Sequence, residues 1–301
     1  MLTLGLDAGG SATRWVLFDA TRDVVVARGE AGAASGHIFD PAVRERTFAA
    51  FDAIAEAVRG HGVPSRIAGG ITGLGAGTPE AAELAARLSA RLGTPAAAIA
   101  LGDDLWIQAR GIFPDGGGGI LYAGTGTVAY GIDASGRAVR IGGYGVVVDD
   151  AGGAYWIAVR GIRAVLRRRE EGRGDGPLAE ALAGEIGASD WVTIRAAVYS
   201  RDRGGVAALA PFVAVAACAG DPEAVAILEE AGRELARLGD ILAQRLPCTR
   251  LAAVGGAFRL DPRILRSVNS RKTNVVDILP VEIDIPLSAA RVASSFVNPP
   301  V

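Results

Sequence analysis

The stretch LGLDAGGSATRWVLF, residues 4–18, places an aspartate and a run of small residues between two apolar segments. The apolar segments predict strands over 2–7 and 13–18, and a third strand over 23–28 completes an antiparallel meander. Several backbone N–H groups of the loop after the first strand can point to one place, and glycine lets an anion come close because it has no Cβ. The stretch alone fits both a plain hairpin turn and a phosphate site.

Helix and strand patterns alternate after this meander. A helix is predicted from Asp40 and Pro41, which are a good N-cap and first-turn pair, and a second helix from Thr78 to near Gly93. Buried strands are predicted over 66–72 and 96–101. The first half of the chain therefore reads βββαβαβ.

The meander pattern occurs a second time, about 115 residues later. Strands are predicted over 119–122, 127–132 and 137–141, with the glycine-rich loop AGTGT between the first two. The run FPDGGGG, residues 113–119, marks the domain boundary because four consecutive glycines do not hold a helix. Further segments follow as helices over 154–169, 190–200, 206–219 and 222–246 and a buried strand at 250–258.

The composition excludes several classes of partner. A formal net charge of −2 over 301 residues gives no footprint for nucleic acid or for an anionic membrane surface. The chain has no basic leader and no apolar run of about 18 residues, so we expect a cytoplasmic protein. Cys218 and Cys248 form neither a disulfide framework nor a zinc cluster, and we expect two buried thiols.

Lys272 is the only lysine of the chain. A P-loop and a protein kinase both need a lysine on the phosphates, and Lys272 lies in neither context. Nucleotide chemistry would therefore use backbone amides, a metal ion and carboxylates. Asp7, at the end of the first strand, lies where Mg²⁺ would need a carboxylate.

Four segments together resemble one family. GLDAGGSATRWVLFD (5–19), GILYAGTGTVAYG (119–131) and LAAVGGAF (251–258) resemble the phosphate-1, phosphate-2 and adenosine segments of the actin/hexokinase superfamily. With GGYGVVVDDAGGAYWI (142–157), their order is closest to the BadF/BadG/BcrA/BcrD-type ATPase family, which contains N-acetylglucosamine kinase and glucosamine kinase. The resemblance implies an α/β fold with two ribonuclease-H-like, actin-like ATPase domains around an interdomain cleft, over 1–115 and 116–266.

The resemblance also implies the nucleotide and metal residues. Asp7 would organise Mg²⁺. The residues implied to bind ATP are Asp7, Gly9, Gly10, Ser11, Thr13, Gly124, Thr125, Gly126, Thr127, Gly255 and Gly256.

The acceptor side is implied less completely. The family's catalytic carboxylate falls on Asp104, which would accept the proton of a sugar hydroxyl, while Asp103 either contributes to the site or only caps a helix. Asp150 would meet sugar hydroxyls or metal-bound water, or it is only a solvent-exposed turn residue, and Gly143 would lie at the sugar. The family's usual asparagine is absent from ASGHIF, and Ser35 or His37 takes that role, or neither does.

Other departures concern Ala151 and Gly153, which replace polar residues of the family, and the tail. Residues 267–301 hold Lys272 and the three asparagines, Asn269, Asn274 and Asn298. We expect no Gly/Ala-rich helix after Arg266, as in a frameshifted or artificially added tail, or in a genuine tail that has diverged.

The leading hypothesis is ATP-dependent phosphorylation of N-acetylglucosamine or glucosamine at the 6-hydroxyl, by a protein that the family's habit suggests is a homodimer. One alternative is an ATPase activator of a 2-hydroxyacyl-CoA dehydratase, but its iron–sulfur cluster needs closely placed cysteines. Another is a nucleotide or sugar sensor, which would not need the proton acceptor Asp104.

Overall fold

The computed structural model describes residues 1–133, 135–187, 190–246, 248, 250–273 and 277–295. The described residues separate into two compact units. The first unit comprises 1–118, 131–138 and the residues from 282 onward, and the second comprises 119–130 and 139–281.

The described residues form strands and helices in the order that the sequence pattern predicts for much of the chain. The strands are β1 (Leu2–Ala8), β2 (Thr13–Asp19), β3 (Val24–Ala31), β4 (Arg66–Ile71), β5 (Ile99–Gly102), β6 (Gly118–Ala123), β7 (Thr127–Ile132), β8 (Ala138–Gly142), β9 (Arg250–Val254) and β10 (Asp277–Pro280). The helices are α1 (Pro41–Arg59), α2 (Pro79–Leu92), α3 (Asp104–Ile112), α4 (Ala154–Glu170), α5 (Pro177–Ile186), α6 (Trp191–Tyr199), α7 (Arg203–Ala207), α8 (Ala210–Cys218), α9 (Pro222–Arg245), α10 (Pro262–Arg271) and α11 (Ile285–Ser295). None of these helices combines length with an apolar stretch sufficient to span a bilayer.

The first unit is built on a five-stranded sheet of order β3-β2-β1-β4-β5. The strand β1 pairs antiparallel with β2 and parallel with β4. The side chains of β1 alternate between the two faces of the sheet, as a strand requires. Leu4, Leu6 and Ala8 are fully buried in the core that α1 and α2 also enter, whereas Thr3 and Gly5 face α11.

The helix α11 packs on β1 at very short range. A Cβ at Gly5 would collide with the carbonyl oxygen of Pro286 and the amide nitrogen of Ala290, so only glycine fits this position of β1. The hydroxyl of Thr3 donates to the carbonyl of Ala290 at 2.8 Å. The last described helix is therefore an integral layer of the first unit.

The expectation of no helix after Arg266 is wrong. Within the segment 267–301, the end of α10 and the strand β10 belong to the second unit, and α11 belongs to the first. The small residues Ala289, Ala290 and Ala293 lie on the buried face of α11. Small side chains let this helix come close to β1 at Gly5. Residues 274–276 and 296–301, which include Asn274 and Asn298, lie outside the described residues.

The second unit is built on a five-stranded sheet of order β10-β9-β6-β7-β8, in which β9 and β10 are parallel. Its core joins the sheet to the helical segment, with Leu121 of β6, Val213 of α8 and Leu235 of α9 all buried. The predicted helix over 206–219 is in fact two helices. Pro211 lies in the first turn of α8, where it lacks the N–H that a continuous helix would need.

Other parts of the chain also differ from expectation. The helices α5 and α10 were not predicted, and the strand expected over 250–258 ends at Val254. Cys218, expected to be buried, is exposed at the end of α8, and Cys248 is half-buried.

Candidate functional site

Asp7 lies at the end of β1, on the face of the sheet that carries Gly5. In the register of the sheet it stands between Arg14 of β2 and Gly70 of β4. Its side chain is half-buried. A carboxylate is thus held at the edge where the parallel strands β1 and β4 both end.

Asp104 is brought to this edge by a glycine. A Cβ built at Gly70 would lie 3.0 Å from Cα of Asp104, so the bare backbone of β4 lets the first turn of α3 come close. Asp103 is the N-cap of α3, and its Oδ1 accepts a hydrogen bond from the Trp106 amide at 2.7 Å. Asp103 therefore starts the helix, as one of its two predicted roles requires, and Asp104 occupies the first turn beside Gly70.

The two carboxylates act on each other electrostatically. Burial raises the pKa of Asp7, and the negative charge of Asp104 raises that pKa further, while Arg14 opposes both effects. A pKa raised by a second carboxylate means that like charges are held close together. A cation at Asp7 would relieve this repulsion.

The side chain of Asp7 is reached from a cavity of about 440 Å³. Its wall is largely apolar but includes the charged residues Arg14, Arg28, Glu30 and Asp284. Arg28 pairs with Asp284 at 3.2 Å. The cavity is therefore wide enough to admit a hydrated ion to Asp7, and it carries charged groups of both signs near that residue.

The loop after β1 contains Gly9, Gly10 and Ser11. The amide of Gly9 donates to the carbonyl of Ala12 at 3.0 Å, which closes the hairpin. Neither glycine has a positive φ, and a Cβ at Gly10 would have no neighbour within 4 Å. Thr13 is different, because it is fully buried and its hydroxyl donates to the carbonyl of Gly32 at 2.8 Å. The hairpin itself therefore does not require glycine at position 10, and Thr13 fixes the hairpin to the next strand.

The segment from Ser35 to His37 packs on the loop after β4. The hydroxyl of Ser35 donates to the carbonyl of Thr72 at 3.2 Å and accepts from the amide of His37 at 3.3 Å. The imidazole of His37 lies so close to Gly73 that a Cβ there would come within 2.6 Å of Nε2. Both predicted acceptor residues thus lie next to Thr72.

Thr72 is the residue of this site that the sequence interpretation missed. Its hydroxyl donates to Oδ2 of Asp104 at 3.2 Å, and its amide donates to the carbonyl of Ala8 at 2.9 Å. No motif marks it. The signal available in the sequence was its position directly after the buried strand β4, the neighbour of β1.

In the second unit, the loop 124–127 rests on the beginning of α4. The amide of Ala154 donates to the carbonyl of Gly124 at 2.8 Å, and the amide of Tyr155 donates to the carbonyl of Thr125 at 3.1 Å. A Cβ at Gly153 would lie 2.7 Å from the carbonyl oxygen of Thr125. This explains the glycine that stands where the family has serine, because the loop occupies the space of a side chain.

Asp150 lies directly against this loop. A Cβ at Gly126 would collide with its carboxylate. Asp150 is buried, with 7% of its surface exposed, and its φ of 61° lies in the left-handed region. Burial raises its pKa, although hydrogen bonds from the backbone of Gly145 and Thr127 act in the opposite direction. The alternative of a solvent-exposed turn residue is therefore excluded for Asp150, since its carboxylate lies within the loop packing.

The remaining predicted residues of the second unit are three glycines, two of which have a positive φ. Gly255 has a φ of 113°, and a side chain there would collide with the backbone of Ala123. Gly256 follows it without crowding. Gly143 has a φ of 73°, and its carbonyl accepts from Arg140 at 3.2 Å. The predicted site residues of the first unit therefore lie near the end of β1, and those of the second unit lie at its glycine-rich loops.

Asp7 fits the requirements of a magnesium ion in a nucleotide enzyme. Such an ion is usually held by one or two carboxylates, while phosphates and water complete its shell. Among the described residues there is no group of three or more metal-ligating side chains, so a site made of protein ligands alone is not formed there. The raised pKa of Asp7 and the nearby Asp104 agree with a position that a cation would stabilise.

Comparisons with known proteins agree with this architecture. The model of the BadF/BadG/BcrA/BcrD ATPase family matches residues 4–284. Over 124 residues the chain is 33% identical to the N-acetylmuramic acid/N-acetylglucosamine kinase of Clostridium acetobutylicum, a match that covers 38% of this chain and 39% of that protein. The match thus spans well under half of that curated relative.

Two solved structures show the same fold over nearly the whole chain. A candidate N-acetylglucosamine kinase from Chromobacterium violaceum gives a TM-score of 0.72 at 22% identity, covering 97% of this chain and 98% of that one. A ROK family glucokinase from Streptomyces griseus, solved with glucose and AMPPNP, gives 0.63 at 15% identity, covering 98% and 100%. The predicted α/β fold of the actin-like ATPases is therefore confirmed.

Proposed function

Because the chain belongs to the BadF/BadG/BcrA/BcrD ATPase family, we propose that it is an ATP-dependent kinase that phosphorylates an amino sugar. The observation that carries this proposal is the approach of Asp104 to Asp7 across Gly70. Phosphoryl transfer needs little covalent work from a protein and depends on positioning and charge neutralisation. One carboxylate for the metal and a second for the acceptor proton supply both needs.

Each residue has a role in this mechanism. The amides of Gly10 and Ser11 would hold phosphate oxygens, beside Gly9, whose own amide closes the hairpin onto Ala12, and Asp7 would hold Mg²⁺. Bound Mg²⁺ would neutralise charge that develops on the transferred group. Asp104 accepts the proton of the sugar hydroxyl as the hydroxyl oxygen attacks the terminal phosphate of ATP.

The residues of the second unit complete the proposal. The loop from Gly124 to Thr127 holds the phosphates, and Gly255 and Gly256 lie at the adenosine, as the family motifs imply. Asp150 would meet sugar hydroxyls or metal-bound water, and Gly143 would lie at the sugar, as the family motifs imply. N-acetylglucosamine is the proposed first substrate, supported by the name of the curated relative, and the proposed acceptor is the 6-hydroxyl.

The experiment is a panel of hexosamines with Mg-ATP, in which ADP release is measured and the phosphorylated position of the product is read by NMR. We expect ADP release that depends on an amino sugar. We expect Asp104→Asn to lower kcat by about 100- to 10,000-fold, because a positioned general base contributes that much, while ATP still binds. Asp115→Asn is the matched control, because Asp115 is an exposed carboxylate of the same unit.

Three outcomes would contradict parts of the proposal. ADP release that no sugar stimulates would support an ATPase and overturn the kinase. Nucleotide binding without any turnover would support a sensor. An unchanged rate in Asp104→Asn would remove that residue from its role.

The expected homodimer and the cytoplasmic location stay predictions. Sedimentation of the purified chain tests the first, and fractionation of cells tests the second.

A further inference from the structure

Thr72 connects three segments that are far apart in the sequence. Its amide donates to the carbonyl of Ala8, the residue that follows Asp7, at 2.9 Å. Its carbonyl accepts from the hydroxyl of Ser35 at 3.2 Å and from the amide of Gly36 at 3.0 Å. The phosphate loop and the acceptor segment are therefore both fixed to one residue.

The side chain of Thr72 makes the third connection. Its hydroxyl donates to Oδ2 of Asp104 at 3.2 Å. A hydrogen bond to an ionised carboxylate is about twice as strong as one between neutral groups, and it fixes the direction of the acceptor. Because threonine is branched at Cβ, its χ1 angle is restricted and its hydroxyl has a defined position.

The exposure of Thr72 argues against a purely structural role for this hydroxyl. The residue is exposed, so water could replace Asp104 at its hydroxyl, and folding would lose no more than the net worth of one hydrogen bond. Asp104 is half-buried beside Gly70, and its carboxylate can still rotate about χ2. A donor on one side of that carboxylate removes this freedom.

We propose that Thr72 is a positioning residue for phosphoryl transfer, whose hydroxyl holds Oδ2 of Asp104 and so presents Oδ1 to the acceptor hydroxyl. This inference rests on the proposed kinase function. In the reaction, the proton of the sugar hydroxyl passes to Oδ1, the sugar oxygen forms a bond to the terminal phosphorus of ATP, and ADP leaves with the electron pair of the broken P–O bond. The backbone of Thr72 keeps Ser35 and Gly36 in place throughout.

The test removes the hydroxyl and leaves the backbone bonds intact. We expect Thr72→Val to lower kcat by about 10- to 100-fold, the usual value of one hydrogen bond to a charged group, with the KM for ATP unchanged. Thr72→Ser, which keeps a hydroxyl, should restore kcat to within about threefold of wild type, because it retains the donor and loses only the rotamer restriction. Thr193→Val is the control, a half-buried threonine on α6.

Several results would overturn the proposal. A wild-type kcat in Thr72→Val would do so, and so would a Thr72→Ser variant as slow as Thr72→Val. On the Asp104→Asn background, Thr72→Val should cause no further loss, because the group that it positions is absent. A full, multiplicative loss there would count against the role.

A second measurement does not depend on activity. We expect the Tm loss of the Thr72→Val, Asp104→Ala double variant to be smaller than the sum of the two single losses, because both single variants remove the same hydrogen bond. If wild type shows no sugar-dependent ADP release, the proposed function fails. The Tm cycle then tests separately whether Thr72 holds Asp104, and additive Tm losses overturn the inference.

Discussion

Glycine serves two different purposes in the two candidate phosphate loops. At Gly126 the space for a side chain is filled by the carboxylate of Asp150. At Gly10 the space is open and φ is ordinary, so neither packing nor backbone conformation explains the glycine. Close approach of a ligand to the backbone is the remaining physical reason for a small residue at position 10.

The substitution Gly10→Ala tests this reason. We expect it to leave the free energy of unfolding unchanged or to raise it by up to about 1 kcal/mol, because alanine restricts the unfolded chain. We expect it to raise the KM for ATP by about tenfold or more, since a methyl group would stand between the loop and a phosphate. Steady-state kinetics and urea unfolding measure the two effects.

The control for this variant is Gly60→Ala. Gly60 also has open space and an ordinary φ, but it lies at the end of α1. It should change stability in the same direction and leave the kinetics unaltered. If Gly10→Ala keeps the wild-type KM, the loop is only a hairpin turn.

Asp150 combines a buried charge with a left-handed backbone. Its pKa in the folded protein is raised above the ordinary 3.8. Asp150 therefore contributes its full share of stability below pH 3.8, where it is protonated. That stability is lost as the pH rises through the raised pKa and the carboxyl group ionises. We expect Asp150→Asn to be more stable than wild type at pH 7, because asparagine tolerates the left-handed region and carries no charge. The advantage should shrink as the pH falls toward 3.8.

The comparison with Asp150→Ala separates charge from backbone strain. Alanine also removes the charge, but at a φ of 61° it costs about 1–2 kcal/mol relative to asparagine. Urea unfolding of the three proteins between pH 4 and 8 measures both effects. An advantage of Asp150→Asn that is independent of pH would show that ionisation is not its cause.

At the scale of elements, the contact between β1 and α11 depends on one missing side chain. We expect Gly5→Ala to lower the free energy of unfolding by about 1–3 kcal/mol or more, because the obstructing atoms belong to the backbone of α11 and cannot rotate away. Hydrogen exchange should show loss of protection in Ile285–Ser295 before other helices of the unit. Equal protection of α11 in the variant and in wild type would contradict this packing.

The elements also show what the sequence could predict. Cap residues correctly predicted the helices α1 and α2. Asp40 and Thr78 accept hydrogen bonds from the first amides of these helices, and proline follows each cap residue. The helix α11 was not predicted because its buried face is made largely of alanine. Its pattern lacks the large apolar residues on which periodicity depends. Its packing partner is Gly5, roughly 280 positions earlier, and no local pattern reveals a contact over that distance.

At the scale of the whole molecule, each unit is assembled from separate parts of the chain. The chain changes unit after 118, 130, 138 and 281. The sequence placed one boundary at 115/116, near the first of these positions, because a run of glycines is a local signal. It placed a second boundary at 266/267, where the composition of the chain changes, but the unit changes only after 281. The other changes occur within the continuous strand β7, near the beginning of β8 and after β10, where composition gives no signal.

The candidate site divides in the same way. Asp7, Asp104 and the two loops could be predicted because short motifs carry them. Thr72 could not, since its importance comes from four hydrogen bonds to three distant segments rather than from its neighbours in the sequence.

The packing of α11 on β1 also has a consequence for the order in which the protein is made. Thr3 and its partner Ala290 are separated by 287 positions. At about 5–20 residues per second, the ribosome adds the second partner roughly 15–60 s after the first. During that interval the strand that bears Asp7 has one face open to the cell and its chaperones. The strand that bears Asp7 can therefore complete its packing against α11 only after residue 290 has been added to the chain.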